Sequence, residues 1–138
     1  ANIWLNEGFA TYLSRLYITK DRGVDEGDYV RLNEIRGFMR ADKAKRRPTV
    51  DFNYEEPFEL FSSHVYAKGS LILTMLQDVL GEDGFWRSIK DYTIKNKLKT
   101  VETVDLKKSI ERTVFYLLMQ DTIQAVQQVA QQELLFHC

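Results

Sequence analysis

Cysteine, proline and histidine are scarce in this 138-residue sequence, at one, two and two residues respectively. The single cysteine, Cys138, excludes an internal disulfide and leaves the redox compartment open. No apolar run approaches the roughly 20 residues that a membrane-spanning helix needs, so no membrane span is expected. No excess of one charge is present either. A formal net charge of −1 gives no electrostatic reason to expect nucleic acid or an anionic membrane as partner. The N-terminus lacks a basic region followed by an apolar one and is not a signal peptide. Alternating, strand-like patterning is also missing, which points to an all-α fold.

What is present is helical apolar spacing nearly throughout. In the first segment Phe9, Tyr12, Leu13, Leu16 and Tyr17 form a wide stripe. Glu7 falls opposite, beside Ala10, Thr11 and Ser14, small residues that leave room for another backbone. Asp21-Arg22-Gly23 ends this helix. Tyr29, Leu32, Ile35 and Phe38 or Met39 mark a second, with Asp25, Glu26 and Asp28 near its positive end. The basic run Lys43–Arg47 follows it and reads as a solvated helix end. From Arg47 through Pro57 two prolines, Asn53 and several charges predict an extended, irregular connection. A third helix, capped by Ser62 or Ser63 and stopped by Gly81, is apolar on most sides and should be deeply buried. Asp83 can cap a fourth, carrying Phe85, Trp86, Ile89 and Tyr92. Thr103 can cap a fifth, with Leu106 and Ile110 facing inward.

Two strings then stand out: Trp-Leu-Asn-Glu-Gly-Phe-Ala at 4–10, and HVYAKGSLILTMLQDVLG from His64. Read singly, Glu7 is an acid well placed in a first helical turn, and Tyr66 is a core tyrosine. Gly8, though, costs a helix about 1 kcal/mol relative to Ala and is not what a plain helix calls for. Together and in this order, the strings closely resemble the M1 family of zinc aminopeptidases, over roughly Ala1 to Arg112. The resemblance implies the helical half of a thermolysin-like metallopeptidase domain that removes N-terminal residues from peptides. It makes Glu7 the third ligand of one zinc ion and Tyr66 the catalytic tyrosine.

That chemistry suits these residue types. Hydrolytic zinc is held by three protein ligands, commonly two imidazoles and a carboxylate, with one position left for water. A phenol can donate a hydrogen bond to the oxyanion that forms at the scissile carbonyl. The departures from the family are equally specific. His64 and His137 are the only histidines, and neither belongs to a His-Glu-x-x-His string. The Gly-Ala-Met-Glu-Asn string that recognises the substrate's free amine is absent as well, and Ala67 stands where the family usually has Glu. His64, at a helix start, reads as structural rather than as a ligand.

The expectation is therefore a piece of a longer zinc aminopeptidase, inactive by itself and prone to self-association. Residues 1–112 would belong to the peptidase domain and 113–138 would form a Gln-rich amphipathic tail. Two other readings stand beside it. One is a non-catalytic helical scaffold that binds a partner; the other is an assembly in which a second polypeptide supplies the histidine helix.

Overall fold

The computed structural model describes residues 1–136; side-chain surroundings are not described for Val126 and residues 129–136, and His137 and Cys138 lie outside the described residues. Among the described residues the chain is all-helical, without a strand. It divides into two compact units, Ala1–Val79 and Leu80–Cys138.

In the first unit, helix α1 (Trp4–Arg22) and helix α2 (Val24–Ala44) are separated by one residue. That residue, Gly23, has φ 99°, a backbone state that disfavours any residue with a Cβ. Its N–H donates to the Thr19 carbonyl, while its own carbonyl accepts from Gly27. The two helices therefore share Gly23 as terminus, and a Cβ on Gly27 would overlap the Thr19 side chain.

The buried face of α1 is Trp4, Leu5, Gly8, Tyr12 and Arg15. This corrects the expected stripe: Tyr12 is buried, but Leu13 and Tyr17 are 48% and 68% exposed. The cause is a close backbone crossing at Gly8, which turns the helix so that the Gly8 side faces inward. A buried polar cluster reinforces the packing. Arg15 Nε lies 3.7 Å from Glu34 Oε1 of α2, Arg15 Nη2 donates to Thr74, and Ser70 donates to Glu34 at 2.9 Å. Tyr12 donates to Gln77 beside it.

On α2 the apolar side read from the sequence remains exposed, with Tyr29 at 58% and Met39 at 62%. Residues 45–56 are irregular, as expected, and a one-turn 3-10 helix follows at Pro57–Leu60. Arg47 is not simply solvated. Its guanidinium lies 3.1 Å from Asp51 and donates to the Glu59 carbonyl at 2.6 Å, which ties the connection to its own far end.

Helix α3 (Ala67–Asn96) starts later than expected, after a hydrogen-bonded turn at 62–66. It is interrupted at Gly81, where φ 69° and ψ 167° leave the helical region, in agreement with the stop read there. Its early part is not buried all round. Ser70 and Leu73 have no exposure, whereas Met75 and Val79 are 57% and 82% exposed.

Beyond the break at Gly81 the helix of the second unit buries Phe85, Ser88 and Tyr92, and Asp83 in its first turns pairs with Arg87. Leu98 takes φ 61° in the turn before α4 (Thr103–Phe136). Leu106 is buried as expected, and α4 continues without interruption past Arg112. Arg112 reaches Asp91 of α3 at 2.6 Å and also donates to Ser109. Among the described residues no helix is long and apolar enough to cross a membrane.

Candidate functional site

Glu7 sits in the first turn of α1 and Tyr66 is the last residue before α3. What brings them together is a contact between glycines. A Cβ added to Gly8 would stand 3.0 Å from both the carbonyl carbon and the Cα of Gly69, and one added to Gly69 would stand 2.9 Å from Gly8 Cα. Only two glycines let the helices cross this closely. Glu7 directly precedes one partner of the crossing, and Tyr66 lies one turn before the other.

The sequence reading had the close approach at Ala10, Thr11 and Ser14, and this is corrected. Ala10 and Ser14 are exposed, and the approaching backbone meets Gly8. Successive helix residues are about 100° apart, so Glu7 lies on the flank of the Gly8 contact rather than opposite the buried face. There its carboxylate meets the Tyr66 phenol. Burial pushes the phenol up from its ordinary value; the Glu7 charge and a hydrogen bond to its carboxylate push it further. Tyr66 is nonetheless 37% exposed and so accessible from solvent. Its ring continues a short aromatic row, 6.3 Å from Phe61, which in turn is 6.1 Å from Phe58.

The turn that presents Tyr66 is closely held. The Ser62 carbonyl accepts from the Val65 and Tyr66 amides at 3.0 and 3.2 Å, and the Tyr66 carbonyl accepts from Ser70. His64, only 3% exposed, has partners at both ring nitrogens: Nε2 lies 3.3 Å from Asp42 Oδ1 and Nδ1 lies 3.5 Å from Ser62 Oγ. A histidine so engaged offers no lone pair to a metal at the Glu7–Tyr66 site. Asp42 lies below the usual carboxylate range; burial opposes this, but hydrogen bonds from Arg46 and His64 outweigh it.

Among the described residues no group of three or more His, Cys, Asp or Glu side chains could hold a metal ion. Since hydrolytic zinc takes three protein ligands, the residues of this chain alone do not fit one. Glu7 is a single donor.

The glycine crossing and the His64–Asp42 bond were not anticipated. Gly8 had been visible as an unfavourable residue in a helix, which is the trace such a crossing leaves in a sequence. The only trace of the other is an acid near the negative end of α2, where it is electrostatically misplaced.

This all-helical unit sets a Glu-Gly helix start against a Tyr-x-x-Gly helix start across the two-glycine crossing. The model of the Peptidase family M1 domain matches residues 1–132, and the chain belongs to that family. Peptidases of this family are generally zinc-dependent. Among curated proteins, the chain is 31% identical over 117 residues to Tricorn protease-interacting factor F2 of Thermoplasma volcanium, covering 80% of this chain and 15% of that protein. It is 34% identical over 115 residues to Aminopeptidase M1-A of Oryza sativa subsp. japonica, covering 80% of this chain and 13% of that one. Leucyl aminopeptidase of Saccharolobus solfataricus is 29% identical over 113 residues, or 79% of this chain and 14% of that protein. The chain thus spans about one seventh of the length of these relatives.

Proposed function

We propose that Glu7 and Tyr66 are two members of the catalytic site of a zinc aminopeptidase that removes N-terminal residues from peptides. Glu7 serves as one of the three zinc donors, and Tyr66 as the hydrogen-bond donor to the developing oxyanion. The remaining donors, the general base and the amine anchor come from a segment outside these 138 residues, so the chain by itself does not turn over substrate. The observation that carries this reading is the apposition of Glu7 and Tyr66 across the Gly8–Gly69 crossing. The phenol carries its proton at neutral pH, as any tyrosine does, and with Glu7 engaged by a metal that proton would be free for the oxyanion. Its partial exposure leaves the hydroxyl approachable by a peptide carbonyl.

The test is Tyr66→Phe in the intact protein, assayed with an alanyl chromogenic substrate. Loss of one oxyanion donor should lower kcat by roughly 10²-fold or more. KM and zinc content should change little, because the bond strengthens chiefly in the transition state. A near-normal kcat would leave Tyr66 without a catalytic role.

A second reading, a helical scaffold that binds a protein partner, draws support from the exposed apolar side chains of α2 and of α4, where Leu118 is 60% exposed. The name of the Thermoplasma relatives, which are interacting factors of a protease, is compatible with it. Robust turnover by the intact protein that is lost on Glu7→Gln would exclude a purely scaffolding role.

A further inference from the structure

We propose that His64 and Asp42 are positioning residues for Tyr66: their side-chain contact fixes the turn from which the phenol is presented to Glu7. This rests on the reading of Tyr66 as the oxyanion donor.

Two side chains of α2, Phe38 and Asp42, lie one helical turn apart and form a socket for the His64 ring. Phe38 meets it edge-on, with centroids 5.8 Å apart and planes at 88°. Asp42 stands at Nε2. Lys68 docks on the same helix from the other side of Tyr66, with Nζ 5.6 Å from the Phe38 centroid. The residues two before and two after Tyr66 are thus both anchored on α2, while Tyr66 turns the other way, toward α1. A hydrogen-bonded turn held at both flanks leaves its middle residue little freedom. That constraint matters for a side chain that must meet an oxyanion within hydrogen-bond reach.

Several features are hard to explain otherwise. A carboxylate in the last turn of a helix opposes the dipole, and a buried polar imidazole is costly without partners. Asp42 satisfies the imidazole at one oxygen, while Arg46, 3.2 Å from the other, holds the carboxylate from the opposite side. A plain core would place an aliphatic residue at 64 and a cation at 42. The pair instead supplies direction, since the bond from ring to carboxylate sets the rotation of the turn as well as its depth.

The experiment uses the intact protein and compares Asp42→Ala, Asp42→Asn, His64→Phe, Tyr66→Phe and the double variant Asp42→Ala/Tyr66→Phe. Misplacing a catalytic group by about 1 Å can cost 10²-fold, and a loosened turn should cost about tenfold. Asp42→Ala and His64→Phe should therefore lower kcat about tenfold with KM within about twofold. Asp42→Asn keeps an acceptor oxygen and should recover most of the rate. The double variant should be no slower than Tyr66→Phe alone, because a clamp that acts only through the phenol has nothing left to position.

Parental kcat in Asp42→Ala overturns the proposal, as does an Asp42→Ala loss that multiplies in full onto that of Tyr66→Phe. The latter pattern marks general destabilisation. If His64→Phe fails to fold, the Asp42 variants decide, since the Asp42 side chain is 20% exposed and its truncation opens no core cavity. A Tyr66→Phe enzyme at parental rate removes the catalytic reading and the clamp with it. Loss at Tyr66→Phe without loss at Asp42→Ala removes only the clamp.

Discussion

Replacing Gly8 by Ala adds one methyl group at the point where α1 and α3 touch. The new carbon would lie 3.0 Å from the Gly69 carbonyl carbon and Cα, against 3.4–4 Å for ordinary contact. The obstacle is backbone, which cannot rotate aside, so the crossing must open by about 0.4–1 Å. Overpacking of this kind costs about 1–3 kcal/mol. Alanine gains back about 1 kcal/mol of helix propensity, so the net loss is about 0–2 kcal/mol. A control separates the two effects. Gly37 is also helical, but a Cβ there meets nothing within 4 Å, so Gly37→Ala should stabilise by about 0.5–1 kcal/mol. The difference between the variants is the overpacking itself, about 1–3 kcal/mol, read from the urea midpoints at constant m-value. In the intact enzyme a shift of this size between Glu7 and Tyr66 should lower kcat about 10- to 100-fold. If Gly8→Ala raises the midpoint as Gly37→Ala does, the crossing is not close and the explanation of the site fails.

Glu7→Gln keeps the side-chain shape but removes the charge, so zinc content by elemental analysis and turnover should both fall in the intact protein. Unchanged occupancy with full activity would make Glu7 a first-turn acid only. Burial pushes the Glu34 carboxyl up against the opposing pull of Arg15, Ser70 and Arg31. A raised folded-state value means that its contribution is fully present below the unfolded carboxyl range and is lost as pH rises through the folded value. Glu34→Gln should remove that part of the stability–pH profile; a superimposable profile would refute the assignment. The exposed row Tyr29, Leu32, Ile35 and Met39 should drive concentration-dependent association of the 138-residue chain in sedimentation experiments, weakened by Leu32→Lys with Met39→Lys. A monomer at every concentration would contradict this.

Much of the fold was legible because helix punctuation is local. Gly23 and Gly81 end their helices for a conformational reason that residue type alone reveals. Which face of each helix turns inward was less legible. The Leu13–Tyr17 side of α1 is the more apolar, yet the side carrying Gly8 and Arg15 is buried. Backbone proximity and the Glu34 ion pair decide that orientation, and neither registers as hydrophobicity. For the site, Glu7 and Tyr66 were visible through the strings that contain them. His64 and Asp42 were not visible as a pair, because their contact depends on how far the 45–66 connection returns toward α2.

The single-residue joint at Gly23 also bears on the order in which the chain assembles. Thr19 and Gly27, which touch across it, are 8 positions apart, while Glu7 and Tyr66 are 59 apart. Loop-closure entropy makes the longer contact dearer by about 1.8 kcal/mol. The α1–α2 hairpin can therefore form early and by itself. The pairing of Glu7 with Tyr66, like that of Tyr12 with Gln77 65 positions away, must wait for the whole connection to fold back, so the site closes after the hairpin and opens before it. Native-state hydrogen exchange would register that as faster opening of the 62–70 amides than of those flanking Gly23.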